Sequence, residues 1–330
     1  MRIASPIEFD RDGRQTGFLR LPYSTHDSAY GFLPIPIACL RNGSGPSLLL
    51  LAGNHGDEYE GLIAVMKLIR ALDPVRVQGR IICMPAANFP AVMAGRRASP
   101  LDGGNLNRCF PGDPGGTPTQ QIAHYIEMVL MPLCGFAIDL HSGGSSLQYV
   151  PSGVGNMQPG NTPRNDTVIG MLNAFGAPVS FLSDTRRGAE ESFASAAIRQ
   201  GVVSIGTEAG GGGGASRAAV AIVERGVRQV LHHLGIVVDP GLGAVPGTRL
   251  LDVGGVDYFV FAEGNGVFEP LAEPGDMVEV GQPAAVIHDP ATPWAEPQRV
   301  AFARDGFVLC RRVQGLASGG DCLFHLGTDR

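Results

Sequence analysis

Between residue 47 and about residue 235, apolar positions follow two alternating periods. Short apolar runs near 47–52, 80–85, 136–141, 178–183 and 202–208 have the length and β-branched content of buried strands. Between them, near 58–72, 119–133, 165–175, 192–200 and 215–234, apolar residues recur at the three- and four-residue spacing of amphipathic helices. The alternation predicts an α/β fold, a mainly parallel sheet with helices on both faces. Residues 1–46, punctuated by Gly and Pro, read as a β-rich N-terminal segment packed on a domain spanning 47–238.

The pattern changes after the linker Asp239-Pro240-Gly241-Leu242-Gly243, where short alternating strands separated by turns predict a β-rich domain over 243–330. Two stretches there look like copies. Gly266 leads to Gly275 as Gly306 leads to Gly315, nine positions apart in each case. The repeat resembles the pseudo-symmetric barrel-sandwich domains that carry biotin or lipoate. Lys67 is the single lysine of the chain, so 243–330 has none to acylate and no swinging arm is expected. The unit is expected to wall a site or to build an interface in a homo-oligomer. A second irregular stretch, 143–164, is rich in Gly, Pro, Ser and Asn and long for a connection, which makes it a candidate lid.

Composition narrows the class. With 44% hydrophobic and 17% charged residues over 330 positions, the chain can bury an ample core. A formal charge of −6 without a basic cluster argues against nucleic acid. No apolar run nears the ~20 residues needed to span a bilayer, and the start Met1-Arg2-Ile3-Ala4-Ser5-Pro6 lacks a signal peptide's apolar core, so a cytoplasmic location is expected. Six cysteines without a Cys-x-x-Cys pair indicate neither a disulfide framework nor a thiolate metal site.

The candidate chemistry sits at predicted strand ends. His55 and Glu58 stand three apart where the 47–52 run opens into a helix, so both can face one ion; zinc accepts this donor mix and, in catalytic sites, keeps a position for water. Such short strings also arise by chance. The run 136–140 delivers His141, a third ligand or a strand-capping histidine, with Asp139 two residues earlier as a partner for a ligand's second N–H. The run 202–207 ends in Glu208, with five consecutive glycines from Gly210 to Gly214 just beyond it. A carboxylate there is a general base beside a metal, a paired structural acid or a helix cap. Finally, Arg96-Arg97 and the loop Asp102-Gly103-Gly104-Asn105-Leu106-Asn107-Arg108-Cys109-Phe110 gather amides and guanidinium groups suited to carboxylates and oxyanions. The remaining histidines, His26, His124, His232, His233, His288 and His325, read as surface, packing or helix-end residues.

Taken together, His55-Gly-Asp-Glu58, Asn105-Leu-Asn107-Arg108-Cys-Phe, Asp139-Leu-His141-Ser and Thr207-Glu208 resemble the succinylglutamate desuccinylase/aspartoacylase family, relatives of the zinc carboxypeptidases. The resemblance implies one zinc on His55, Glu58 and His141, with Glu208 as general acid/base. It implies Arg97 as the group polarising the scissile carbonyl, and Asn107 and Arg108 as holders of a substrate carboxylate. The implied activity is removal of a small acyl group from an N-acyl amino acid. Two competing readings use the same residues: a metallocarboxypeptidase, favoured by an open groove, and a metal-binding protein without catalysis, against which the presence of Glu208 argues.

Overall fold

A computed structural model describes residues 3–184, 189–239, 241–244 and 247–330. Met1, Arg2 and Pro240 of the linker lie outside the described residues. The catalogue of strands begins with β1 (Gly13–Pro22), β2 (Phe32–Asn42), β3 (Ser47–Ala52), β4 (Gly79–Met84) and β5 (Phe136–Leu140). It continues with β6 (Leu147–Tyr149), β7 (Ser152–Met157), β8 (Val179–Asp184), β9 (Val203–Glu208) and β10 (Arg249–Asp252). The helices are α1 (Tyr59–Ala71), α2 (Phe89–Ala94), α3 (Pro118–Tyr125), α4 (Thr162–Phe175), α5 (Phe193–Arg199) and α6 (Arg217–His233).

The sheet has a parallel centre, β4-β3-β5-β9, flanked by β2 and β1 on one side and by β7, β8 and β10 on the other. Strand β7 runs antiparallel to β9 and parallel to β8. Leu48, Leu50, Ile138, Leu140 and Ile205 pack into one core with residues of α1, α4 and α6. Leu49, Leu51 and Ala137 belong to a second core that includes residues of α3 and α5. Side chains alternate along a strand, so Asp139 and His141 share the second face with Ala137, and Ser204, Gly206 and Glu208 lie opposite the Ile205 face. Burial on two sides explains why these strands read as continuous apolar runs, and it fixes which side carries the polar residues at their ends.

The stretch 143–164 is not an irregular lid. It forms β6 and β7 and the start of α4, and β7 is inserted in the main sheet. Glycine makes that insertion possible: a Cβ at Gly153 would meet Ser180 Oγ at 2.5 Å, and one at Gly155 would meet Leu182 Cδ2 at 2.6 Å.

Beyond the linker follow β11 (Phe259–Phe261), β12 (Gly266–Pro270), β13 (Met277–Val278) and β14 (Pro283–His288), then β15 (Gln298–Ala301), β16 (Gly306–Arg312), β17 (Leu316–Ala317) and β18 (Cys322–Asp329). The two proposed copies interlock. Gly266 pairs with Ala317 and Gly306 with Val278, so each copy's first strand binds the other's second. This β unit has its own core of residues including Phe268, Phe302, Phe324 and Leu326. It is also joined to the α/β body, because β10 pairs with both β8 and β18 and β6 pairs with β16 through Cys310–Tyr149. No helix among the described residues is long and apolar enough to cross a membrane.

Candidate metal centre and active site

Three strand ends converge. The turn after β3 carries His55 and Glu58, and it can lie so close against α2 because residue 56 is glycine: a Cβ there would stand 2.0 Å from the Ala91 carbonyl carbon. Glu58 Oε1 lies 2.6 Å from His55 Nδ1 and Oε2 2.8 Å from His141 Nδ1. The Ser142 N–H donates to Glu58 Oε2 at 3.1 Å. Donor atoms of His55, Glu58 and His141 all lie within 4.8 Å of one another, and the three residues are buried.

The hydrogen-bond network tests whether this cluster suits a cation. Asn105 Oδ1 accepts the Asn107 N–H at 3.1 Å and faces His55 Nε2 at 3.1 Å, so that nitrogen carries the ring proton. His141 Nε2 donates to Asp139 Oδ2 at 2.8 Å. In the neutral rings both Nδ1 atoms therefore present lone pairs to the oxygens of Glu58, an arrangement that is repulsive unless a proton or a metal ion lies between them. A divalent ion on two imidazoles and a carboxylate, with the outer ring nitrogens held by acceptors, is the usual architecture of such sites. The donor set fits a metal.

Charges within the cluster are strongly coupled. Burial lowers the His55 pKa, against the pull of Glu58. Burial also opposes charge on His141, but the carboxylates of Asp139 and Glu58 outweigh it and raise that pKa well above 6.5. Glu58 is desolvated yet held well below the ordinary carboxylate range by His141 and His55.

The other predicted residues surround this cluster. Arg97 Nη1 lies 3.3 Å from both His55 Nδ1 and Glu58 Oε1. Arg96 supplies only backbone here, accepting from the Gly56 N–H at 2.9 Å. Asn107 is held by the Phe193 N–H, which donates to its Oδ1 at 2.8 Å and leaves Nδ2 facing His141 at 3.4 Å. Arg108 is exposed and turned onto the Asn107 carbonyl at 2.7 Å. A cavity of about 210 Å³ has Asn107, Arg108, Asp139, His141 and Glu208 in its lining. Glu208 Oε2 is buried without a hydrogen-bond partner. Burial, reinforced by the Glu58 charge, pushes the Glu208 pKa up to about 8.

A comparison with known proteins identifies the family to which these motifs belong. Residues 44–234 match the succinylglutamate desuccinylase/aspartoacylase catalytic domain. The chain belongs to this family. It is 40% identical over 323 residues, 97% of this chain and 93% of the relative, to the N-alpha-acetyl-L-2,4-diaminobutyric acid deacetylase of Halomonas elongata. Among solved structures it resembles the product-bound ectoine utilization protein EutE (DoeB) of Ruegeria pomeroyi, with 38% identity, 99% coverage of each chain and a TM-score of 0.94. It also resembles a succinylglutamate desuccinylase/aspartoacylase from Rhodobacter sphaeroides, with 39% identity, full coverage of both chains and a TM-score of 0.93.

All seven predicted site residues lie inside the family's matched span, while the C-terminal β unit lies beyond it. Several residues that frame this desuccinylase/aspartoacylase-type site are not singled out by sequence. Asn105 orients His55, although its place beside Asn107 hinted at involvement. Asp57 Oδ2 accepts from Ser145 N–H and Oγ at 2.9 and 2.8 Å, pinning the loop that follows His141. Glu60, fully buried on α1, lies against the glycine run: a Cβ on Gly210 would meet its Oε1 at 2.9 Å.

Proposed function

We propose that the protein is a cytoplasmic, zinc-dependent deacylase that releases a small acyl group from the α-nitrogen of an amino acid, with Nα-acetyl-L-2,4-diaminobutyrate as its substrate. The observation carrying this reading is the meeting, in one cavity, of the His55–Glu58–His141 donor set with the unpartnered carboxyl oxygen of Glu208. The relative from Halomonas elongata supports the choice of acyl group and amine. A cavity of about 210 Å³ favours a small substrate over a peptide.

Zinc held by His55, Glu58 and His141 would polarise the acyl carbonyl and acidify a water molecule. Glu208 accepts the proton of the attacking water on Oε2. Its burial raises its pKa above the ordinary carboxylate value, toward conditions where a group can both take and return a proton. The same oxygen then protonates the departing nitrogen, so that the amine leaves neutral. Arg97, within 3.3 Å of two ligand atoms, supplies positive charge where the carbonyl oxygen becomes negative. Asn107 Nδ2 and the Arg108 guanidinium hold the substrate's α-carboxylate at the mouth, which sets the amide at a fixed distance from Glu208.

The test is turnover of a panel by metal-analysed protein: Nα-acetyl-L-2,4-diaminobutyrate, N-acetyl-L-aspartate, N-succinyl-L-glutamate and a carboxyl-terminal dipeptide. Highest kcat/KM is expected on the first. Preference for either acidic substrate would keep the deacylase and change its substrate, and preference for the dipeptide would overturn the reading.

A further inference from the structure

Three oxygens around the cavity are buried without hydrogen-bond partners: Asp139 Oδ1, Ser204 Oγ and Glu208 Oε2. Asp139 is 5% exposed and Ser204 2%. Buried polar atoms are normally paired, and an orphan costs its full desolvation, so three around one cavity call for a common partner. Glu208 has its task in proton transfer. The other two have none in that chemistry, since Asp139 orients His141 through Oδ2 alone.

Their placement gives the cavity a direction. Ser204, Gly206 and Glu208 project to the same face of β9, and Ser204 lies four residues deeper, about 13 Å along the strand from Glu208. Asp139 is Gly206's partner on β5, so its carboxylate flanks the middle of the path. Gly206 keeps the path open. A Cβ there would stand 3.5 Å from the Asp139 carbonyl oxygen and 3.6 Å from Val154 Cβ, ordinary contacts, so packing would admit alanine and the missing side chain widens the cavity. Among the described lining residues Arg108 is the one arginine or lysine, and it is exposed. The mouth thus offers a cation and the depth offers oxygens.

We infer that the deep part of this cavity binds an ammonium group at the end of the substrate's side chain, and that Ser204 is the residue that reads it. The inference rests on the deacylase reading above and adds what selects the amine. A side-chain ammonium brings three N–H donors to Ser204 Oγ and the Asp139 carboxylate. A side-chain carboxylate would instead face Asp139 with like charge, which excludes acyl-aspartates and acyl-glutamates by repulsion rather than by size.

The experiment compares two isosteric substrates, Nα-acetyl-L-2,4-diaminobutyrate and Nα-acetyl-L-norvaline, in which a methyl group replaces the ammonium. Wild type should prefer the diamino compound. Ser204→Ala should lower kcat/KM on it by about tenfold, mainly through KM, and leave norvaline turnover within about twofold, with zinc content and Tm unchanged. Ser204→Thr, which keeps the hydroxyl, should retain more of the preference than Ser204→Val of similar size. Calorimetric binding of free L-2,4-diaminobutyrate to the zinc-loaded protein supplies a readout independent of turnover, and Ser204→Ala should weaken it by a similar factor. Equal losses on both substrates, or unchanged diaminobutyrate binding, would overturn the role of Ser204. A wild type that hydrolyses acetyl-norvaline or acetyl-aspartate better would overturn the ammonium site while leaving the deacylase standing. Failure to hydrolyse any Nα-acetyl amino acid would overturn the deacylase reading itself, and the binding measurement would still decide the ammonium site.

Discussion

Glu58 and Glu208 face the same site, yet they are held in opposite ways. Glu58 accepts from the Ser142 N–H and has a histidine nitrogen against each oxygen, and His141 and His55 overcome burial to keep it ionised. Glu208 has a buried oxygen with no partner, and burial together with the Glu58 charge favours its protonated form. Charge compensation suits the first to the proposed role of a fixed ligand. Its absence leaves the second free to exchange a proton, because little energy separates its two states near neutral pH. The proposed ligand and the proposed base thus differ in surroundings rather than in residue type.

The comparison breaks most completely at the ligand side. His55→Ala or His141→Ala should abolish both bound zinc and turnover, read by elemental analysis and kinetics on the same sample; full zinc occupancy in either variant would remove that residue from the ligand set. Asp139→Asn, which weakens the orientation of His141, should cost less, about 10- to 100-fold in metal affinity or activity. On the base side, Glu208→Gln should keep zinc and lose on the order of 10²–10⁴ in kcat, and near-normal kcat would show that Glu208 is merely buried. At the mouth, Arg108→Ala should cost roughly 10- to 100-fold in kcat/KM on the acid substrate, as expected for a charged hydrogen bond. The corresponding carboxamide should be a poor substrate already and change little; equal losses on acid and amide would make Arg108 a support for its loop.

The smallest expected effect concerns stability. In metal-stripped protein Glu208 titrates near 8 instead of 4.5. A raised acid binds its proton more tightly in the fold, so the stability it contributes is complete below about pH 4.5 and is lost as pH rises through about 8. Glu208→Gln carries no such titration. Its Tm relative to wild type should therefore rise between pH 4.5 and 8, and a difference independent of pH would contradict the buried, raised carboxyl.

The sequence makes the metal centre legible because its residues stand at the ends of apolar runs, where strand direction alone brings His55, Glu58, His141 and Glu208 to one edge. Three features escape the same reasoning. Strand β7 carries Gly153 and Gly155 where neighbours leave no room for side chains, so it lacks the alternation that marks a strand. Ser204 looks like an ordinary member of a β-branched run, and only the cavity gives its hydroxyl meaning. The bracing of β6 by β16 joins positions 149 and 310, a contact that local pattern does not encode.

Stoichiometric reconstitution tests the central claim most directly. Protein stripped of metal with a chelator is titrated with zinc while turnover of Nα-acetyl-L-2,4-diaminobutyrate is followed. Activity should rise linearly from zero and stop at about one zinc per chain, as one His55–Glu58–His141 site requires. Full activity in the stripped protein, or a rise that continues well past one equivalent, would contradict a single catalytic metal at this site.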